Sequence, residues 1–251
     1  MHVLAVHSQA VHGTASLKAL GAVLGSALLP VPSLLLTGLT NIPGHRKFAL
    51  PFGELLEGSL ELARSRSLRL VLYVGYLGGP EQAGLVLDLL ERYRDIIGTV
   101  LVDPVSGDHG RLYVPDALLE AWPRLLAAAG WALPNYTELC LYSGLPPAQQ
   151  SPEACLEAFR ARYPQLRFAA TSLPAGERTG IALWDGAALH RHTHPRLPRN
   201  FGGSGDVFGA WFVRKHLLEG LPAPQAMRIA ALRTRRSIAK AIRSGLDDLP
   251  L

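Results

Sequence analysis

A chain of 251 residues, 48% hydrophobic and 18% charged, is long enough to bury one large core, which predicts a single domain over residues 1–251. Its two cysteines, Cys140 and Cys155, form no CxxC pair and have no histidine at metal-ligand spacing. This argues against a disulfide framework or a zinc site and for a reducing compartment. The formal charge of +5 suits an anionic ligand but does not by itself separate a nucleotide from a nucleic acid.

The N-terminus, MHVLAVHS, has no basic start, long apolar stretch or cleavage site of a secretory leader. A strand is predicted near residues 2–7, a helix near 14–27 and a strand near 32–37. The uncharged stretch between Lys18 and Arg46 imitates a membrane span in hydropathy, but Pro30, Pro32 and several glycines interrupt it. A helix followed by a buried strand explains the same residues. Pro43, Gly44, Pro51 and Gly53 around KFAL predict a small flap outside the main sheet, serving as a lid or a dimer contact.

Three further buried strands are read from LRLVLYVG ending at Gly75, GTVLVDP ending at Pro104, and the run from Arg167 to Thr171. Helices between them imply a three-layer α/β/α arrangement, with a mainly parallel central sheet and ligands gathered at the carboxyl ends of its strands. Residues 179–194 break the rhythm. GIALWD and AALHRHTH flank Asp185-Gly186, a two-residue hairpin signal that predicts an antiparallel edge. A helix follows from about Gly203 to Glu219, then a last amphipathic helix. That helix carries Met227, Ala231, Thr234, Ile238 and Ala241 on its apolar face and much of the positive charge on its solvated face. His190, His192 and His194 share one face of a strand, which reads as an ordinary polar edge rather than a metal surface.

The most informative segment is Gly202-Gly203-Ser204-Gly205-Asp206, directly before the apolar helix VFGAWFVRKHLLEG. Glycines at a helix start expose amides that hold an anion. A carboxylate inside that cradle repels a phosphate unless it takes the proton from a hydroxyl attacking phosphorus. The other reading of the same residues is a helix start capped by Ser204 or Asp206, and the segment alone leaves both open.

GSGD before an apolar helix resembles the signature of the ribokinase-like superfamily, and other segments narrow the likeness to the pyridoxal kinase family. Asp103-Pro104-Val105, Gly107-Asp108, Gly110 and Tyr113-Val114-Pro115 are similar to that family's DPV, GD, G and YVP stretch. Pro134-Asn135, Glu138-Leu139 and Ser143-Gly144 resemble its PN, E and G segment, and Gly75-Tyr76-Leu77-Gly78 with Gln82 resembles its GYLG loop. The segment from His7 to Gly13 resembles its QSHVVYG strand end, with Ser8, Val11 and Gly13 in register. The likeness runs through essentially the whole chain in order.

The resemblance implies ATP-dependent phosphorylation of the 5'-hydroxymethyl group of pyridoxal or a related vitamer, with Asp206 as base and the amides of Gly203, Ser204 and Gly205 as anion hole. It implies that Ser8, Thr37, Tyr76 and His12 contact the substrate and that Asp103, Asp108, Asn135, Glu138, Thr171 and Ser172 serve ATP. Two carboxylates near phosphates require a cation, so Mg²⁺ is expected at Asp103, with Glu138 acting through water and a monovalent cation as a further candidate. A cytoplasmic homodimer, independent of nucleic acid and membrane, is implied as well.

The chain also departs from the pattern. Gln9 replaces the usual histidine, His12 stands where tyrosine is frequent, the flap is reduced to Thr40-Asn41-Ile42-Pro43-Gly44-His45-Arg46-Lys47, and the stretch from Glu177 to Asn200 is short. The alternatives are a hydroxymethylpyrimidine kinase or other ribokinase-like kinase, and a vitamer carrier or sensor with weak transfer. GxGxxG after the first strand and GxxxxGK[ST] are both absent, which disfavours a dinucleotide-binding dehydrogenase and a Walker-type NTPase.

Overall fold

The computed structural model describes residues 1–40 and 42–250. The chain runs β1 (His2–His12), α1 (Ser16–Leu24), β2 (Leu28–Gly38), β3 (Lys47–Phe48), α2 (Phe52–Ser65), β4 (Leu70–Val74), α3 (Pro80–Arg92) and β5 (Ile97–Val102). A small hairpin, β6 (Gly107–Asp108) and β7 (Arg111–Leu112), precedes α4 (Asp116–Leu119), α5 (Trp122–Ala128), β8 (Trp131–Ala132), α6 (Tyr136–Ser143) and α7 (Pro152–Arg162). Then come β9 (Arg167–Ala175), β10 (Arg178–Trp184), β11 (Leu189–Pro195), α8 (Ser204–Phe212) with a π-helical extension over Val213–Leu218, and α9 (Ala223–Arg243).

Nine strands form one sheet in the order β11-β10-β9-β8-β5-β4-β1-β2-β3. The pairs from β9 through β2 are parallel, while β3 on one side and β10 and β11 on the other add antiparallel ends. Side chains alternate between two apolar layers, as strand geometry requires. Leu4, Val6, Leu72, Val74, Val100 and Val102 face α2, α3, α5, α6 and α7, whereas Val3, Ala5, Val71, Tyr73 and Leu101 face α1, α8 and α9. The expected three-layer α/β architecture is therefore present, and the final helix buries Met227, Ala231, Thr234 and Ala241 as its spacing predicted.

Several local expectations change. β1 continues through Ser8 to His12, and α1 is shorter than the apolar run suggested. β2 begins at Leu28 and takes Pro30 and Pro32 into the strand. Only its outer side tolerates their missing N–H groups, because β3 covers just Leu35 and Leu36. The residues read as a flap outside the sheet instead add β3 as its outermost strand, since Leu35 and Leu36 still offer unpaired backbone groups there. Asn41 of that segment lies outside the described residues. The 178–195 hairpin forms in the predicted register region, pairing Thr179 with His194, but its loop spans residues 185–188. Asp185 Oδ1 accepts the N–H groups of Ala187 and Ala188, which stabilises a longer turn than the Asp-Gly pair alone demands. No helix among the described residues is long and apolar enough to cross a membrane.

Candidate active site

The carboxyl ends of β1, β4 and β5 open toward the start of α8. There the backbone of α8 meets the β1–α1 connection at close range. Gly203 has φ +83°, and a Cβ on it would lie 2.2 Å from the Thr14 carbonyl oxygen. Only glycine allows both the left-handed backbone and that approach. As at any helix start, the Gly205 and Asp206 amides have no intrahelical acceptor.

Asp206 reaches across this contact. Its Oδ2 accepts the N–H of Ser16 at 2.7 Å, between residues 190 apart in sequence. Ala15, at the N-cap position of α1, has no capping side chain, so Asp206 supplies that cap from another helix. Ser16 itself is held at φ +56°, a left-handed conformation that costs a non-glycine residue of order 1–3 kcal/mol. Its Oγ lies 2.8 Å from Ser8 Oγ. The other carboxylate oxygen, Oδ1, lies 2.9 Å from His7 Nε2, and the Asp206 side chain keeps 12% exposure. Oδ2 is thus held by a hydrogen bond, Oδ1 has the His7 ring beside it, and the carboxylate stays reachable from solvent.

Beside it, Asp103 follows β5 and is 8% exposed. Its Oδ2 accepts the Tyr73 hydroxyl at 3.0 Å. Ligand atoms of His7, Asp103 and Asp206 all lie within 4.8 Å of one another. Burial first, then the nearby Asp206 charge, pushes the Asp103 carboxyl up to about 7, against smaller opposing effects of His7 and the Tyr73 hydroxyl. Two carboxylates this close fit a hard divalent cation, which prefers oxygen donors.

Glu138 accepts backbone amides with both carboxylate oxygens. It is 2% exposed. Its Oε1 accepts the Ser106 N–H at 3.0 Å and its Oε2 the Asn135 N–H at 2.9 Å. Asn135 Oδ1 returns the favour to the Glu138 N–H, closing a capping box, while its Nδ2 donates to the Gly107 carbonyl at 2.7 Å. Burial and the Asp103 charge hold the Glu138 carboxyl well above its usual range. The pair therefore ties the 103–107 loop to the start of α6.

The remaining sequence-predicted residues divide. Tyr76 is buried at the end of β4, where its hydroxyl accepts from Lys47 Nζ of β3 at 3.2 Å. Thr37 accepts the Arg46 N–H at 2.8 Å, so its hydroxyl holds the β2–β3 connection. Ser8 is buried against Ser16, and His12 is exposed at the strand's end. Asp108 is exposed in the β6–β7 hairpin, where its Oδ1 accepts the His109 N–H, and His109 meets Asn200 of the loop leading to α8 at 2.9 Å. Thr171 and exposed Ser172 lie beside Asn135 at the end of the sheet's parallel part, Ser172 with φ +60°. Half-open hollows of about 160 Å³ beside Trp211, Arg233 and Arg236, and of about 230 Å³ between β2 and α2, lie elsewhere.

Sequence reasoning missed His7, Tyr73 and Ser16. His7 immediately precedes a residue already singled out, and Tyr73 is a polar-tipped residue in an otherwise aliphatic strand. Ser16 left no local signal, since its part depends on a carboxylate from the far end of the chain.

No protein-family model matches the chain. It is 31% identical to a pyridoxine/pyridoxal/pyridoxamine kinase of Bordetella bronchiseptica, over 99% of this chain and 92% of that protein. A Bacteroides thetaiotaomicron structure, provisionally named a phosphomethylpyrimidine kinase and crystallised with pyridoxal, is 26% identical, with a TM-score of 0.83 over 97% of this chain and 87% of that one. The Leishmania donovani pyridoxal kinase, solved with ADP and pyridoxamine, shares the fold with a TM-score of 0.78 at 23% identity, over 100% of this chain and 90% of that one.

Two outcomes follow from the geometry. Gly203→Ala forces a Cβ against the Thr14 carbonyl in a left-handed backbone, so thermal unfolding should show a loss of about 1–3 kcal/mol or more. For Asp103, a folded pKa of about 7 against the ordinary 3.8 means that the folded protein binds this proton more tightly than the unfolded chain. That contribution to stability is complete below about pH 4 and is lost as the pH rises through 7. Without divalent cations, Asp103→Asn should therefore flatten the fall in Tm between pH 5 and pH 8.

Proposed function

Since the chain belongs to the pyridoxine/pyridoxal/pyridoxamine kinase family, we propose that it transfers the γ-phosphoryl group of ATP to the 5'-hydroxymethyl oxygen of pyridoxal or a closely related vitamer. The observation that carries this reading is the Asp206 carboxylate, pinned by the Ser16 N–H, beside the open amides of α8 and still partly exposed. In the proposed step the hydroxymethyl oxygen attacks the γ-phosphorus, its proton passes to Asp206, and the bond from phosphorus to the ADP oxygen breaks. Phosphoryl transfer is loose, so a modest carboxylate base held in line suffices. The amides of Gly203, Gly205 and Asp206 meet the charge on the transferred group, aided by the positive end of the α8 dipole, while the Ser204 N–H expected beside them donates to the Phe201 carbonyl at 3.4 Å.

Asp103, with the Asp206 side chain beside it, would hold Mg²⁺. When bound, the ion would neutralise phosphate charge. Glu138 and Asn135 support this arrangement through the loops they join, and Thr171, Ser172 and Asp108 line the nucleotide side. Ser8, Thr37, Tyr76 and His12 are assigned to the vitamer side, and the contact of Lys47 with Tyr76 adds the lysine to that wall. The homodimer, the cytoplasmic location, the monovalent cation and the single-domain organisation belong to the same proposal and rest on the family resemblance.

A coupled assay of ADP release across pyridoxal, pyridoxine, pyridoxamine and hydroxymethylpyrimidine tests the substrate class. Vitamer-dependent turnover is expected, with hydroxymethylpyrimidine poor. Turnover of hydroxymethylpyrimidine alone would move the chain to the pyrimidine kinases, and binding of vitamers without ATP consumption would make it a carrier. Asp206→Asn should lower kcat by roughly 10²–10⁴-fold while calorimetry shows ATP binding retained.

A further inference from the structure

We infer that His7 is a positioning residue for the Asp206 carboxylate, a proposal that rests on Asp206 being the base. The imidazole is 1% exposed and has no freedom to turn. Gly75 packs against it so closely that a Cβ there would fall 2.1 Å from His7 Cδ2. On the Tyr73 side, the two rings stack with centroids 6.3 Å apart and planes at 28°. Tyr73 is fixed in turn, because its hydroxyl donates to Asp103 and a Cβ on Gly209 would lie 2.6 Å from it.

The backbone sets the tautomer. The Ser8 N–H donates to His7 Nδ1 at 2.9 Å, so Nδ1 bears no proton and the ring's single N–H is on Nε2. That N–H is 2.9 Å from Asp206 Oδ1 but lies off the line to the oxygen, and it has no other acceptor among the described residues. A buried donor without a well-aligned partner is costly to keep. A small rotation of the Asp206 carboxylate, as the hydroxyl of the substrate arrives, aligns the bond. Oδ2 is then held by Ser16 and Oδ1 by His7, and the carboxylate faces the acceptor oxygen in one orientation. The same tautomer leaves Nε2 without a lone pair, so His7 does not join Asp103 and Asp206 as a cation ligand.

His7→Leu removes the donor at similar bulk, and His7→Gln offers an amide N–H in its place. Expected for His7→Leu is a fall in kcat of about 10²-fold, with KM for ATP and vitamer, Tm and the Mg²⁺ concentration for half-maximal activity near wild type. His7→Gln should recover most of the lost kcat. In an Asp206→Asn background, His7→Leu should cost nothing further, because a residue acting through the base has no effect once the base is gone. Wild-type kcat in His7→Leu, equal impairment in both variants, an additive loss in the double variant, or a shifted Mg²⁺ requirement would each overturn the inference. Full turnover by Asp206→Asn alone would instead remove the base assignment, independently of His7.

Discussion

The hydrogen bond from the Ser16 N–H to Asp206 ties the first helix of the chain to the start of α8. It is a charge-assisted bond in a largely desolvated place, where it is stronger than a neutral one. Without it α1 would start uncapped, Ser16 would have little reason to keep a left-handed backbone, and the carboxylate would be free to rotate. Gly203 makes the bond possible by letting the two backbones touch. Helix capping and placement of the Asp206 carboxylate are thus one interaction.

Around it stand three buried or nearly buried carboxylates that are treated differently. Glu138 spends its charge on loop amides, Asp206 on a helix start, and Asp103 on one tyrosine hydroxyl. Asp103 therefore has only one compensating hydrogen bond, against two for the Glu138 carboxylate. Burying a charge is costly unless it is paired, and a cation brought with a polyphosphate would supply the missing partner. The protein keeps this cost in place within 4.8 Å of the Asp206 carboxylate.

Much of this was legible from the chain. The alternation of strands and helices fixed the layers, because period-two burial in β1, β4 and β5 follows directly from their aliphatic runs. Gly203 and Asp206 announced themselves because glycines and a carboxylate stand at contiguous positions directly before an apolar helix. Tyr73 and Ser16 stayed hidden because their partners stand 30 and 190 residues away, and no local pattern encodes such distances. The β3 segment misled for the opposite reason: its prolines and glycines describe local turns correctly, but pairing with Leu35 and Leu36 decides where it lies. At Asn135 and Glu138 the contact the structure makes is a capping box at the start of α6.

The sheet ends in antiparallel strands on both sides, and each outer border is poor material for templated growth. β3 offers only two residues, and β11 alternates histidines with Leu189, Arg191 and Thr193 before stopping at Pro195. A long, flat, apolar border would invite another chain to add strands and seed fibrils. Here β10 and β11 cover the parallel strands on one flank, and on the other β3 covers Leu35 and Leu36 while Pro30 and Pro32 interrupt the uncovered part of β2, so self-association by sheet extension is discouraged.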